Sequence, residues 1–257
     1  MKYLAICEYQ GTHYSGFQFQ NNAKSIQAEI EDAINKVGHL KKRINCCGRT
    51  DAGVHAYSQI IDFESDAERT LQNWENGINS HLPKDIALKD IRLVDESFHA
   101  RFSAINRRYL YCIDNNITQR PLKAATSYWI KDTLDLDLIR EEVHSLMGEH
   151  DFSSFRSSEC TAKSTIKNIQ EFEIFSKNGF VYFEITANAF LHNMVRIIVG
   201  TLIQIGLHQH KMSLKEIICS KNRANAGPTA QACGLVFLGA SYPGHTETQF
   251  SFHHMVI

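Results

Sequence analysis

The amino-acid sequence predicts an α+β protein of two consecutive α/β halves, each with helices on one face of a mostly antiparallel sheet. Two observations point there. Strand-like runs alternate with amphipathic, helix-spaced runs in the order β-α-β-β-α-β, and the same order starts again near residue 104. The composition agrees: of 257 residues, 43% are hydrophobic and 21% charged, as in a globular chain rather than a disordered or collagen-like one. A chain of this length buries roughly 75% of its extended surface on folding, enough for one large core or two smaller ones.

Residues 3–9 (YLAICEY) read as a strand, and a polar, aromatic loop over 11–24 follows. Ser25 is placed to cap a helix whose apolar positions Ile26, Ile30, Ala33, Ile34 and Val37 keep helical spacing. Residues 43–48 read as a short strand ending at Gly48, and 57–63 as another. A helix over about 70–79 stops before Pro83, and 86–94 is strand-like. This is the split βαβ order of ferredoxin-like domains.

In the second half, 108–114 is a strand of alternating character. A helix over 135–147 carries Leu138, Ile139, Val143 and Leu146, with Gly148 as its C-terminal stop. Residues 166–176 and 180–187 form a hairpin around Asn178-Gly179, a strong local turn signal. A long helix over 190–205 ends before Gly206, a short one covers 214–219, and 235–241 is the final strand. The chain therefore divides into domains 1–104 and 105–257. No proline- or serine-rich linker marks the joint, so the domains are expected to dock tightly and share one sheet.

Charge narrows the partners. With 27 basic and 28 acidic side chains the formal charge is −1, which excludes a uniformly basic nucleic-acid coat, so RNA or DNA must meet a local patch. The longest apolar stretch, around Ile197 to Ile205, is broken by polar residues and falls short of the ~20 residues of a membrane span. Met1-Lys2-Tyr3 runs straight into a strand pattern with no signal-peptide core, so a soluble cytoplasmic protein with no membrane partner is expected. The seven cysteines (Cys7, Cys46, Cys47, Cys112, Cys160, Cys219 and Cys233) include no C-x-x-C pair, which leaves free thiols acting as small hydrophobes in a reducing compartment.

The segment Gly48-Arg49-Thr50-Asp51-Ala52-Gly53-Val54-His55-Ala56 lies between two predicted strands, and its glycines permit a sharp turn. On an extended stretch the period of two places Arg49 and Asp51 on one face. An arginine within ~4–6 Å lowers a carboxylate pKa by roughly 1–3 units and holds it ionised, fit to act as nucleophile or general base. On spacing alone, an Arg–Asp pair that merely staples a turn is the stronger reading.

Motifs shift that balance. GRTDAGVHA resembles the signature of the tRNA pseudouridine synthase A family. YQGTHYSGFQFQ (9–20) resembles that family's first loop, FHARFSA (98–104) and the following RRYLY (107–111) its next landmarks, AFLHNMVRIIVG (189–200) its helix motif, and AGPTA (226–230) through Gly234-Leu235 its last. The landmarks recur in order over nearly the whole chain. Phe17 stands where tryptophan is often found, and Gln231 follows Thr229-Ala230 where proline is common; both are peripheral to Asp51.

The resemblance implies an enzyme that isomerises uridine to pseudouridine at positions 38, 39 and 40 of the tRNA anticodon stem-loop, without metal or organic cofactor. It implies two RRM-like domains around a central RNA-binding cleft, and a homodimer in which one tRNA contacts both subunits. By the same resemblance Asp51 is the catalytic carboxylate, Arg49 orients it and contacts RNA, Tyr109 stacks on the target base, Arg196 pairs with Asp51, and Leu235 lines the pocket.

The physics of the reaction fits these residue types. Extruding a base costs a few kcal/mol, and one aromatic stack returns roughly 1–3 kcal/mol, so phosphate contacts must supply the rest. Two clusters free of acidic residues qualify: 41–50 with Lys41, Lys42, Arg43 and Arg49, and 99–111 with Arg101, Arg107 and Arg108 interleaved with Phe102, Tyr109 and Tyr111. A third cluster (Lys211, Lys215, Lys221 and Arg223 around Glu216) is as well explained by a solvated face.

Competing constellations are weaker. His208-Gln209-His210 and His253-His254 lack an evident third ligand, so surface histidines are the better reading. Asp135-Leu136-Asp137 opens a helix, where acids suit the N-terminal dipole. His55 could serve as an acid or base, but packing or a turn-holding hydrogen bond is the better reading. A non-catalytic RRM-like RNA-binding module is the alternative function. It would not need Asp51, and RNP1-type residues are not evident.

Overall fold

In the computed structural model the described residues are 1–244, so His253 and His254 lie outside them. Two units form: residues 1–105 together with the segment from Val236 onward, and Asn106–Leu235.

The first unit contains β1 (Lys2–Tyr9), α1 (Ile26–Val37), β2 (Asn45–Cys46), β3 (His55–Glu64), α2 (Leu71–Asn79) and β4 (Ile86–Leu93). β1 lies between β4 and β3, antiparallel to both. Local chemistry sets the helix starts. Ser25 Oγ accepts from the Ala28 N–H and Thr70 Oγ1 from the Asn73 N–H, each satisfying an otherwise orphaned donor. Both helices close over an aromatic cluster in which buried Trp74 packs 5.4 Å from Tyr3 and 5.5 Å from Phe63. Such ring pairs add about 0.5–1.5 kcal/mol each beyond simple burial.

Because β1 occupies one edge of β3 along its whole length, β2 and the final strand β10 (Leu235–Gly239) share the other edge. Asn45 pairs opposite Asp62, near the end of β3, and Val236 runs parallel opposite His55, at its start. The loop from Cys47 to Val54 bridges the gap between them. The strand run expected over 43–48 is thus shorter than its residues suggest, since Cys47 and Gly48 already belong to this loop.

The second unit contains β5 (Arg107–Asp114), β6 (Tyr128–Trp129), α3 (Leu136–Val143), β7 (Gly148–Asp151), β8 (Ile166–Lys177), β9 (Phe180–Ala187), α4 (Met194–Gly206) and α5 (Leu214–Ser220). Its antiparallel strands run β5-β9-β8-β7, with β6 parallel to β5. Asn178 and Gly179 both take positive φ, 52° and 76°, as the two-residue hairpin turn requires. Asp135 caps α3 through the Leu138 N–H, as the acidic opening of that helix suggests. α5 starts with a capping box in which Ser213 and Glu216 satisfy each other's backbone.

Three expectations are corrected. α3 ends at Val143 and gives way to a 3-10 turn (His144–Leu146), and Gly148, at φ +87°, opens a strand instead of closing a helix. The long helix begins at Met194, not near Phe190, because Asn193 turns the chain with φ +62°. The last strand does not complete a second β-α-β-β-α-β unit: from Val236 the chain pairs with β3 and belongs to the first unit, so the boundary expected at 104 is crossed a second time. No helix among the described residues is long and apolar enough to cross a membrane.

Candidate active site

The loop between β2 and β3 is held by buried polar groups on both flanks. On the entering side, the fully buried Gln59 amide spans Gly48, its Oε1 accepting from the Gly48 N–H (3.3 Å) and its Nε2 donating to the Gly48 carbonyl (2.6 Å). Nε2 also reaches the hydroxyl of Tyr9 (3.4 Å), which shares a 2.7 Å hydrogen bond with Thr50 Oγ1. Burial pushes the Tyr9 phenol far above its ordinary pKa, so this ring is a neutral brace. On the leaving side, His55 Nδ1 accepts from the Gly11 N–H at 3.0 Å.

The loop over 11–17 packs directly on this segment. A Cβ at Gly11 would lie 1.9 Å from the Val54 carbonyl oxygen, and one at Gly16, whose φ is +92°, would lie 2.8 Å from the Thr50 carbonyl oxygen. The Phe17 N–H donates to that same carbonyl at 3.0 Å, and the Gly53 N–H to the Tyr14 carbonyl at 3.3 Å. Asp51 sits at the middle of this doubly braced turn, half-buried, between buried Thr50 and exposed Ala52. Its own carbonyl accepts from the Val54 N–H at 3.1 Å. The backbone carrying the carboxylate is therefore fixed before any ligand arrives, which is what a preorganised catalytic group needs.

Arg49 is exposed on the entering side of this turn. The charges of Arg49 and of Arg101, from the loop after β4, act on the Cys46 thiol. Burial pushes the Cys46 thiol up to about 12, and both arginines pull against that rise.

In the second unit, Tyr109 and Arg107 share one face of β5 by the two-residue period, while Arg108 points to the other. The Tyr109 ring is largely buried, edge-on to Phe190 at 5.0 Å. Arg107 Nη1 donates to the Asn188 carbonyl at 2.9 Å. Arg108 is ion-paired with the buried Glu184 of β9. Arg196, in the first turn of α4, donates through Nε to the Ala230 carbonyl (2.8 Å) and through Nη1 to Asn193 Oδ1 (2.9 Å). The Ala226–Ala230 segment reaches it because Gly200 leaves room: a Cβ there would lie 1.8 Å from the Pro228 carbonyl oxygen. Leu235 is buried at the start of β10.

The model of the tRNA pseudouridine synthase family matches residues 5–103 and 143–243. The chain belongs to that family. A tRNA pseudouridine synthase A from Francisella tularensis subsp. novicida (strain U112) is 43% identical over 256 residues, covering 99% of this chain and 97% of its own length. Another so named, from Francisella philomiragia subsp. philomiragia, is 41% identical over the same share of each chain. Among solved structures, a chain of a Cbf5-Nop10-Gar1 complex aligns with 79% of this chain and 45% of its own length at 10% identity and a TM-score of 0.42.

In this pseudouridine synthase the sequence motifs indicate where the carboxylate lies but not what holds it. Gln59 and Tyr9 read as ordinary members of apolar strands, and only their contacts reveal them as braces. Asn193 carried a signal of its own, an N-cap residue type directly before an apolar helical run. His55 takes the turn-holding role expected of it.

Proposed function

We propose that this chain isomerises uridine to pseudouridine in the anticodon stem-loop of tRNA, with Asp51 as the catalytic carboxylate and no metal or organic cofactor. Membership of the family makes it an isomerase acting on tRNA; the stem-loop, its uridines and the roles of individual residues are the finer reading. One observation carries the assignment of Asp51: a half-buried carboxylate at the centre of a turn locked by Gln59, Tyr9 and His55, with Arg49 and Arg101 nearby in the same unit.

The chemistry is balanced by such a group alone. The glycosidic C1′–N1 bond breaks, the detached uracil turns over and a C1′–C5 bond forms to the same sugar; C5 then loses its proton and N1 gains one, with no net oxidation and no water added. Asp51 supplies the nucleophile or base that labilises the glycosidic bond. Tyr109 offers its ring to the extruded base, which recovers ~1–3 kcal/mol of the unstacking cost. Arg101 and Arg107 are assigned phosphate contacts, the half-buried Arg196 a cationic role at the site, and Leu235 apolar contact with the base. Arg108 is committed to Glu184 and is a weaker phosphate ligand.

The chain is further read as a cytoplasmic homodimer, with one tRNA touching both subunits. Elution at the mass of a single 257-residue chain in gel filtration would argue against the dimer. The activity is tested by incubating the protein with an unmodified tRNA transcript, without added metal or cofactor, and mapping pseudouridines. Asp51→Asn should abolish product while tRNA affinity stays within a few-fold. Turnover near wild type in that variant defeats the mechanism, and a binding-only module would yield no product from either protein.

A further inference from the structure

Phe102 is a large apolar side chain left 76% exposed on a loop that is otherwise tightly built. Phe98 and Ala100 point inward and are buried. Ala100 is pinned from both sides: its N–H donates to the buried Asp62 carboxylate at 2.7 Å, and its carbonyl accepts from the Tyr242 hydroxyl at 2.6 Å. The turn closes on itself, the Ser103 N–H donating to the His99 carbonyl (2.9 Å) and the His99 N–H to Ser103 Oγ (3.0 Å). His99 Nδ1 accepts from the Arg101 N–H at 3.1 Å, which fixes that ring as well. Six residues thus form a rigid mount that directs one aromatic ring into solvent.

The ring's surroundings suit a nucleobase. The His99 ring lies 4.4 Å from it, tilted by 51°, and the Arg101 guanidinium lies 5.6 Å from its centroid. Arg101 stands next to the ring in the same loop, its own N–H tied to His99 Nδ1, so a cation and an exposed aromatic face share one mount. A flat π-face beside guanidinium groups is the combination by which proteins hold unpaired bases, the cations taking phosphate and the ring taking the base.

We propose that Phe102 is a stacking platform for an unpaired nucleotide of the RNA substrate, distinct from the base that reacts. The inference rests on the tRNA reading above and extends it to where the substrate's single-stranded portion lies. A rigid mount lowers the ordering cost of such a contact, because the ring needs no rearrangement to receive the base.

The test is binding of an unmodified tRNA transcript, measured over a salt series in the Asp51→Asn background, with product mapping in the wild-type background. Phe102→Ala should weaken binding roughly 5- to 150-fold, the value of one base–aromatic stack. Phe102→Trp should keep wild-type affinity and Phe102→Leu should not. None should alter the salt slope, whereas Arg101→Ala should flatten it. Thermal melting should not change, since the ring is exposed. Wild-type affinity in Phe102→Ala or Phe102→Leu overturns the proposal, as does a change of oligomeric state in Phe102→Ala with tRNA affinity intact, which would assign the ring to contact with a second copy. Failure of the wild-type protein to make pseudouridine would instead overturn the tRNA reading itself.

Discussion

Arg196 Nη1 donates to Asn193 Oδ1 at 2.9 Å, across the first turn of the helix that Asn193 opens in the left-handed conformation. Asn193 occupies the N-cap position, yet its side chain caps no backbone N–H. It spends its acceptor on the guanidinium, which makes it a positioning residue for Arg196. Asn193→Gly retains the backbone freedom and removes the acceptor. Losing a hydrogen bond to a charged group, worth ~1.5–3 kcal/mol of stability, should lower the melting temperature and, by releasing Arg196, kcat, while KM moves little. Asn193→Ala should show the same kinetic loss plus about 1 kcal/mol of destabilisation, because alanine resists positive φ. Equal kcat for wild type and the glycine variant would remove Asn193 from this role.

Gly200 and Pro228 set the second anchor of Arg196. With only 1.8 Å between a Cβ at position 200 and the Pro228 carbonyl oxygen, Gly200→Ala must push the 226–230 segment off α4. The Ala230 carbonyl would then withdraw from Arg196 Nε. Overpacking of this kind costs ~1–3 kcal/mol or more. Thermal or urea unfolding should report that loss together with a fall in activity. Wild-type stability would mean that the segment does not pack on the helix as described.

What could be read from the sequence was what is decided locally. The Ser25 cap, the Asn178-Gly179 turn and the Asp135 cap each depend on residues within four positions, and each appears where expected. The Asp51 loop was legible because its motif is long. Long-range pairing was not legible: nothing between Leu235 and Gly239 announces that this strand joins β3, some 180 residues earlier in the chain. The shared face expected for Arg49 and Asp51 assumed an extended stretch, whereas Asp51 opens a turn closed by the Val54 N–H. Buried polar braces such as Gln59 escape a pattern-based reading because a polar residue inside an apolar strand has many possible causes.

The cysteines supply an independent check on the packing beside the Asp51 turn. Burial pushes the thiols of Cys46 and Cys112 up to about 12, whereas Cys219 is exposed on α5. Only the thiolate reacts, and a thiol raised to that level holds very little of it at pH 8. Iodoacetamide followed by peptide mass mapping should therefore modify the exposed Cys219 well before Cys46. Activity should survive alkylation of Cys219. Rapid labelling of Cys46 in the folded protein would mean that β2 is open to solvent.

Arg107 and Arg108 are neighbours in sequence with opposite assignments, and salt and pH separate them. Arg107 shares the face of Tyr109, so Arg107→Ala should weaken tRNA binding and reduce the slope of log K against log salt by about one. Arg108 pairs with Glu184, which sits opposite Glu173 in the β8–β9 register. Burial raises the Glu184 pKa above its ordinary 4.5, and Arg108 partly offsets that rise. Removing the guanidinium should raise it further. A carboxyl whose folded pKa lies above its unfolded value binds more protons in the folded state, so its contribution is favourable below about 4.5 and is lost as pH rises through the folded value. Arg108→Ala should thus be nearly as stable as wild type near pH 4 and fall behind as pH approaches 7. Because the arginine is partly exposed, the deficit should reach about 1–3 kcal/mol, short of the ~3–5 kcal/mol of a fully buried pair. Urea titrations from pH 4 to 8 measure it. A deficit that is flat with pH would show that Glu184 stays ionised without its partner.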